Sequence, residues 1–136
     1  MRISQKLDYA ARAMVYLARK HDGQSVVRAD DIAESEAIPS SFLAQILHEL
    51  KRTGLITSRR GKTGGWMLKQ APAEITLLMI VEALEAESLG QLPTPTGESG
   101  SVVNKIWSDV REESRKTLNK SNLESLAAGA EPMFYI

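Results

Sequence analysis

The sequence predicts a mainly α-helical fold that carries one small β-hairpin. Apolar residues recur at the three- and four-residue spacing of amphipathic helices in several segments, and two short runs typical of strands flank a glycine-rich turn. The chain has 136 residues, of which 43% are hydrophobic and 25% are charged. A chain of this length and composition builds one small domain, or one domain with an appendage, and it is too apolar to be disordered.

The first two helices are predicted over residues 5–20 and 29–35. Leu7, Met14 and Leu17 fall on one face of the first helix, at the spacing of an amphipathic helix. A short extended segment separates the two helices.

A third helix is predicted from Ser40 and Ser41, whose hydroxyls are expected to cap it, to a stop at Gly54. Its predicted buried stripe comprises Phe42, Leu43, Ile46, Leu47 and Leu50. Its opposite face carries Ser41, Gln45, His48 and Arg52. Because a short turn at Ile38-Pro39 precedes it, this helix and the one before it form a helix-turn-helix.

Residues 55–59 and 66–69 are predicted to be the two strands of the hairpin. The intervening turn, residues 60–65, has the sequence Arg-Gly-Lys-Thr-Gly-Gly. The hairpin therefore has a basic, glycine-rich tip.

The C-terminal half is predicted to contain three further helices. The continuous apolar run over residues 77–81 fits a helix or a strand, and the Ala-Leu-Glu-Ala-Glu sequence that follows favours a helix. Ten of the fourteen residues in 88–101 are Gly, Pro, Ser or Thr, which predicts a loop. A long helix follows from Val102, with helically spaced apolar residues at Val103, Ile106, Trp107, Val110 and Leu118. Ser121-Asn122-Leu123-Glu124 matches a capping box and is expected to begin a last short helix.

Three helices followed by a hairpin is the element order of a winged helix-turn-helix domain. We assign this domain to residues 1–87 and the loop to residues 88–101. Residues 102–136 contain the long helix, the short helix and a C-terminal tail.

The charges are divided unevenly between the two halves. The sequence has 17 basic and 17 acidic residues and a formal net charge of zero. Residues 1–70 nevertheless carry a formal charge of +5, and residues 71–136 carry −5. The asymmetry predicts an N-terminal part that meets an anion and a C-terminal part that meets a different partner.

Double-stranded DNA is the anion that these residues favour. The polar face of the third helix offers groups that hydrogen-bond base edges or reach phosphates, although an ordinary solvated face would have the same composition. The hairpin tip adds a cluster that a plain solvated turn rarely has: Arg59, Arg60, Lys62 and Thr63, with adjacent glycines and no acid. A second basic element lies before and within the start of the first helix: Arg2, Ser4 and Lys6.

No enzymatic, metal or membrane motif competes with this reading. Gly61-Lys62-Thr63 resembles the end of a phosphate-binding loop, but Ile56 stands where that motif needs a glycine and a strand follows instead of a helix. His21 and His48 lack neighbouring metal ligands, and the chain has no Cys. We therefore predict no catalytic residue, no metal and no cofactor. Without a long apolar run or signal pattern, a cytoplasmic protein with no membrane partner is expected.

Three segments together resemble the Rrf2 family of bacterial transcriptional regulators. They are residues 1–10, residues 38–47, and residues 54–61 with the following Gly-Gly-Trp, and they agree in order over nearly the whole chain. The resemblance implies a homodimeric repressor or activator whose long C-terminal helix makes the dimer, through the stripe from Val103 to Leu118. It also implies DNA-facing positions for Ser40, Ser41, Gln45 and Arg60.

The chain departs from the family pattern at informative places. Many members hold an iron–sulfur cluster with three cysteines in the loop before the dimerisation helix, and this chain has none. Asp8 occupies the place of a further cluster ligand in some relatives, and without thiolates it is better interpreted as an acid that stabilises a helix N-terminus. Ala44 replaces a frequent acidic residue of the recognition helix, so a different operator sequence is expected.

The tail gives a second hypothesis. Phe134, Tyr135 and Ile136 resemble the ending of the cysteine-metabolism repressors of this family, which lack the cluster and act with cysteine synthase. Ile136 could offer that enzyme an apolar anchor and a terminal carboxylate. The alternative is that the tail folds back over the dimer core.

The prediction is thus a cluster-free Rrf2-like regulator, expected to be a repressor that binds a near-palindromic operator as a homodimer. Its rival is a protein-interaction module on a winged-helix scaffold, which docks a metabolic enzyme through Ile136.

Overall fold

The computed structural model describes residues 1–129, so the predictions for Phe134, Tyr135 and Ile136 lie outside the described part. Within it, the chain forms six α-helices and one two-stranded antiparallel sheet. The elements are α1 (Gln5–Arg19), α2 (Ala29–Glu36), α3 (Ser40–Arg52), β1 (Ile56–Arg59), β2 (Gly65–Leu68), α4 (Leu77–Glu85), α5 (Gly100–Lys120) and α6 (Leu123–Ala128). Single 3₁₀ turns precede and follow α4, at Pro72–Glu74 and Ala86–Leu89. The mainly helical prediction with one hairpin is confirmed.

One hydrophobic core takes its buried residues from every α-helix and strand except α5, which contributes only the half-buried Leu118 at its edge. It is built largely from α1 and α3, whose buried side chains follow the predicted helical spacing. The largest fully buried side chains include Met14, Leu17, Leu43, Leu47 and Leu50. Each stabilises the fold by about 2–3 kcal/mol relative to an exposed position.

The helix-turn-helix is fixed by contacts at the end of α2. Arg12 Nη1 donates a hydrogen bond of 2.6 Å to the Glu36 carbonyl oxygen, which satisfies a carbonyl of the last turn. Ala37 then takes a left-handed conformation (φ 54°), which turns the chain toward α3 within three residues. The orientation of α3 against α1 therefore depends on the hydrogen bond between Arg12 and Glu36 as well as on apolar packing.

The predicted caps of α3 differ from the observed ones. Pro39 occupies the N-cap position, and neither Ser40 nor Ser41 donates or accepts a capping side-chain hydrogen bond. Phe42, expected in the buried stripe, is 56% exposed because it lies at the edge of the stripe, toward the N-terminal end of α1.

The hairpin pairs Ile56 with Leu68 and Arg59 with Gly65. A third extended segment joins it, since Val27 and Trp66 exchange two backbone hydrogen bonds of 2.8 Å. Gly65 permits this approach, because a Cβ there would lie 2.5 Å from the Val27 carbonyl oxygen. The wing is thereby attached to the segment that leads into α2.

The short helix α6 belongs to the core of the winged-helix unit, although the sequence groups it with residues 102–136. It packs against α1, and Leu123 is fully buried. Two backbone hydrogen bonds of 2.9 Å join its start to the start of α4, from Leu77 N to Ser121 O and from Leu123 N to Ile75 O. The predicted capping box is also replaced: Asn122 is the N-cap, and its Oδ1 accepts from Ser125 N at 2.9 Å.

The long helix α5 differs from every other helix in having no buried residue. It starts two residues earlier than predicted, and the first part of the predicted loop is a 3₁₀ turn with buried Ser88 and Leu89. An ion pair of 3.2 Å between Arg115 and Glu82 joins α5 to α4. No helix within residues 1–129 has the length and apolar character that crossing a bilayer requires.

Candidate nucleic-acid interface

The second helix of the helix-turn-helix presents a polar face to solvent. Its core side is held by side chains that are at most 2% exposed: Leu43, Ile46, Leu47 and Leu50. Its exposed residues include all five that the sequence predicts for this helix: Ser40, Ser41, Gln45, His48 and Arg52. The serine hydroxyls at the N-terminal end make no capping bond and remain available to a ligand.

A basic cleft of about 490 Å³ separates this helix from the wing. Four of its lining residues are cationic and one is acidic: Arg28, Lys51, Arg59, Arg60 and Asp30. Gly61, Gly64 and Gly65 line the wing side. A Cβ at Gly64 or Gly65 would meet the backbone of Arg59 or Val27, so these two glycines allow the wing to pack closely on its own chain. Cationic side chains are the usual protein partners of a phosphate group.

Three side-chain hydrogen bonds fix the walls of the cleft. Lys51 Nζ donates to Ser58 Oγ at 2.8 Å, which joins α3 to β1. Arg59 Nη2 donates to the Gln24 carbonyl oxygen at 3.0 Å. Arg28 Nη1 reaches the Lys62 carbonyl oxygen at 3.4 Å. The wing is thus held at both its base and its tip.

The loop that receives Arg59 is itself ordered by a carboxylate. Asp22 accepts hydrogen bonds from the Ser25 hydroxyl at 2.6 Å, the Ser25 N–H at 2.7 Å and the Gln24 N–H at 2.9 Å. These bonds favour the charged form, the Ser25 hydroxyl most, and they lower the pKa of Asp22 from 3.8 to about 2.

His48 and Trp66 meet at the floor of the cleft. Their ring centroids lie 5.5 Å apart at an interplanar angle of 84°, which is an edge-to-face arrangement. The contact joins the exposed face of α3 to β2.

The predicted N-terminal basic element is divided among several contacts. Ser4 caps α1 and also donates to Glu85 Oε1 at 2.6 Å, while the Arg2 N–H bonds the Ser88 carbonyl oxygen at 2.8 Å. Lys6 forms an ion pair of 2.8 Å with Glu49, which also lies 3.7 Å from Arg52. Of these cations, only Arg2 has no acidic partner within residues 1–129.

The structure adds three cleft residues that the sequence prediction misses: Arg28, Lys51 and Trp66. Lys51 follows His48 by three residues and could have been placed on the same face. Arg28 and Trp66 gave no such signal, because they reach the cleft through the pairing of Val27 with β2.

A second exposed surface is apolar and lies on α5. Val102, Val103, Ile106, Trp107 and Val110 are 43–71% exposed along one side of the helix. Leu118, predicted as part of this stripe, is half-buried and packs against the core of its own chain. A contiguous exposed apolar surface of this kind is typical of an interaction site.

The comparisons with known proteins agree with this geometry. A model of the Rrf2 family, described as an iron-dependent transcriptional regulator, matches residues 3–129. A protein of Mycobacterium tuberculosis, provisionally named an HTH-type transcriptional regulator, is 35% identical over 97% of this chain and 84% of its own length.

A second relative has a solved structure. The HTH-type transcriptional regulator CymR of Bacillus subtilis is 30% identical over 100% of both chains. Its structure, titled as the global cysteine regulator of that organism, superposes with a TM-score of 0.83 at 29% identity over 96% of this chain and 99% of the other.

The residues of this chain do not fit a cysteine-held iron–sulfur cluster. The sequence contains no Cys, and a cluster of that kind is bound by thiolates. Within residues 1–129, no three His, Asp or Glu side chains come together as an alternative set of ligands.

Proposed function

The chain belongs to the Rrf2 family of transcriptional regulators, and from that premise we propose that it binds operator DNA as a homodimeric repressor. Each α3 enters a major groove, and each wing lies against the adjacent backbone or minor groove. The observation that carries the proposal is the basic cleft between α3 and the wing. It accounts for a positive N-terminal half in a chain whose formal net charge is zero.

In the proposed complex, the side chains of α3 and of the cleft contact different parts of the DNA. Ser41 and Gln45 hydrogen-bond base edges. A Gln amide can form two hydrogen bonds with adenine, and a Ser hydroxyl can bond either a donor or an acceptor on a base edge. Lys51 and Arg28 contact phosphate from the cleft, and Arg60 does so from the wing tip. The phosphate contacts set the register of the protein on the duplex, and the base contacts set its sequence preference.

The apolar face of α5 supports the homodimer. A second copy of α5 is chemically matched to this face, and pairing removes five large apolar residues of each chain from water. A symmetric dimer carries two recognition helices, so the operator is near-palindromic with half-sites about one helical turn or a multiple apart. A dimer bound to such a site at a promoter represses transcription by excluding RNA polymerase. A reporter assay in cells with and without the gene for this protein tests the repression.

Charge removal at the wing tests the DNA assignment. We expect Arg59→Ala/Arg60→Ala/Lys62→Ala to weaken binding to all duplex sequences and to lower the slope of log K against log salt. Because a dimer loses up to six phosphate contacts, the slope falls by up to about 5. The slope is obtained from the DNA affinity measured at salt concentrations of roughly 50 to 200 mM, over which DNA binding depends strongly on salt.

Two controls separate charge from folding. Arg59 also holds the loop at Gln24, so the double variant Arg60→Ala/Lys62→Ala removes charge without breaking that bond. A matched triple, Lys20→Ala/Lys116→Ala/Lys120→Ala, removes the same formal charge outside the cleft and is expected to leave binding nearly unchanged. Equal effects of the two triples would reject the cleft as the DNA site.

We extend the proposal to a protein partner for Phe134, Tyr135 and Ile136. The resemblance of this tail to the ending of the cysteine-metabolism repressors supports docking on cysteine synthase or a similar enzyme, and the similarity to a global cysteine regulator supports a connection with cysteine. Deleting Tyr135 and Ile136 is expected to abolish binding to the purified synthase without changing the thermal midpoint. A fall of several degrees instead supports the alternative, in which the tail covers the dimer core.

A further inference from the structure

We propose that Phe42 reads thymine in the bound DNA, by packing its ring against the 5-methyl group in the major groove. The inference rests on the proposed DNA-binding function and adds to it a residue that determines sequence preference.

Phe42 is the large apolar side chain of α3 that the fold leaves in solvent. It is 56% exposed, whereas the other large apolar residues of this helix are at most 2% exposed. An aromatic side chain buries a large apolar area on contact, so an exposed ring on a binding helix is a strong candidate for contact.

The ring is held in place from the side of α1. Its centroid lies 6.4 Å from that of Tyr9, at an interplanar angle of 49°. The Tyr9 hydroxyl in turn accepts a hydrogen bond of 2.9 Å from Gln5 Nε2. Phe42 is therefore supported before any ligand arrives, and binding does not have to order it.

A cavity of about 270 Å³ lies beside the ring, between α1 and α3. Phe42 and Ile46 form its apolar wall, and Gln45 and the Lys6–Glu49 ion pair border it. A methyl group seated on the ring would thus lie next to the amide of Gln45, which suits an adenine on the adjacent step.

DNA is the occupant that the surroundings favour. Phe42 is the third residue of α3, and the N-terminal residues of a recognition helix are those that contact base edges. Ser41 beside it is polar and exposed, and residues 1–70 carry a formal charge of +5, which attracts a polyanion. The 5-methyl of thymine is the apolar feature of the major groove, and Phe is one of the side chains that contact it.

The test uses the full chain and the duplex that it selects from a random-sequence pool. Each thymine is replaced in turn by deoxyuridine, which removes the methyl group and leaves the base pair intact. We expect one thymine in each half-site at which replacement weakens binding about fourfold, as for the loss of one buried methyl group. Phe42→Ala is expected to bind the thymine duplex more weakly and to lose this sensitivity, whereas Phe42→Leu retains part of it.

Two outcomes overturn the inference alone. One is a wild-type protein that is indifferent to every replacement, and the other is Phe42→Ala with undiminished sensitivity, as expected if the ring contacts a protein or a small molecule instead. A chain that selects no duplex overturns the proposed function as well. If circular dichroism shows that Phe42→Ala is unfolded, the comparison of wild type with Phe42→Leu decides.

Discussion

The helices α3 and α5 are both amphipathic, but they use their apolar sides in opposite ways. In α3 the apolar stripe is buried in its own chain, and the polar side is exposed. In α5 no residue is buried, and the apolar side faces solvent at 43–71% exposure. The spacing of apolar residues therefore predicts a helix in both cases. Only the burial of those residues shows whether the apolar side of the helix is covered by its own chain. The exposed side of α3 is suited to a polar partner, and the exposed side of α5 is suited to an apolar one.

The largest expected effect comes from charging the apolar side of α5. Ile106→Glu/Val110→Glu places two carboxylates where a second α5 is expected, and an unpaired charge in such an interface is costly. We expect a folded monomer by light scattering, with DNA affinity lower by at least about tenfold because one recognition helix replaces two. Glu112→Lys, on the opposite side of α5, is the control and should remain dimeric. A dimeric double variant would contradict the α5 interface.

The next effect sharpens the contrast in burial. Leu47→Ala removes a fully buried side chain from α3 and is expected to cost about 2–5 kcal/mol of unfolding free energy at every protein concentration. Val110→Ala should lower stability only through the dimer, so that its effect diminishes on dilution. Thermal melting at several concentrations distinguishes them, and a concentration-independent loss for Val110→Ala would place that residue in the core of its own chain.

The smallest expected effect is a pH dependence of stability in the loop that contains Asp22, which Arg59 of the wing contacts. The pKa of Asp22 is lowered to about 2 by its bonds to Ser25 and Gln24, so its contribution to stability is present above pH 3.8 and is lost as pH falls toward 2. The Ser25 amide resonance should report this titration in an NMR series, and Asp22→Asn should abolish it. A midpoint near the ordinary value of 3.8 would mean that the turn does not hold the carboxylate.

The sequence predicts the helices and the hairpin because their signals are local. Apolar spacing, Gly54 and the turn before Gly65 act within a few residues. Some errors are also local, since the predicted caps of α3 and α6 differ from the observed ones. The other errors concern contacts between distant segments. The exposure of Phe42 depends on how the N-terminal end of α1 lies against α3, and the position of α6 depends in part on the hydrogen bond from Leu77 N to Ser121 O.

The candidate site divides in the same way. Ser41, Gln45 and His48 could be predicted because they share one side of a single helix. Arg28 and Trp66 could not, since the bridge between Val27 and β2 brings them to the cleft. A periodic pattern carries no information about such a bridge.

The position of α6 has a mechanical consequence for the dimer. Through α6, the C-terminal end of α5 is attached to α1, the helix on which α3 packs. In the proposed dimer, these contacts connect the α5 interface directly to the recognition helix. We therefore expect that, when one α3 of the proposed dimer is bound, the effective concentration of the other is high at a half-site with the matching spacing and falls sharply at any other spacing. Inserting one base pair between the half-sites should then cost more than changing a base within one of them.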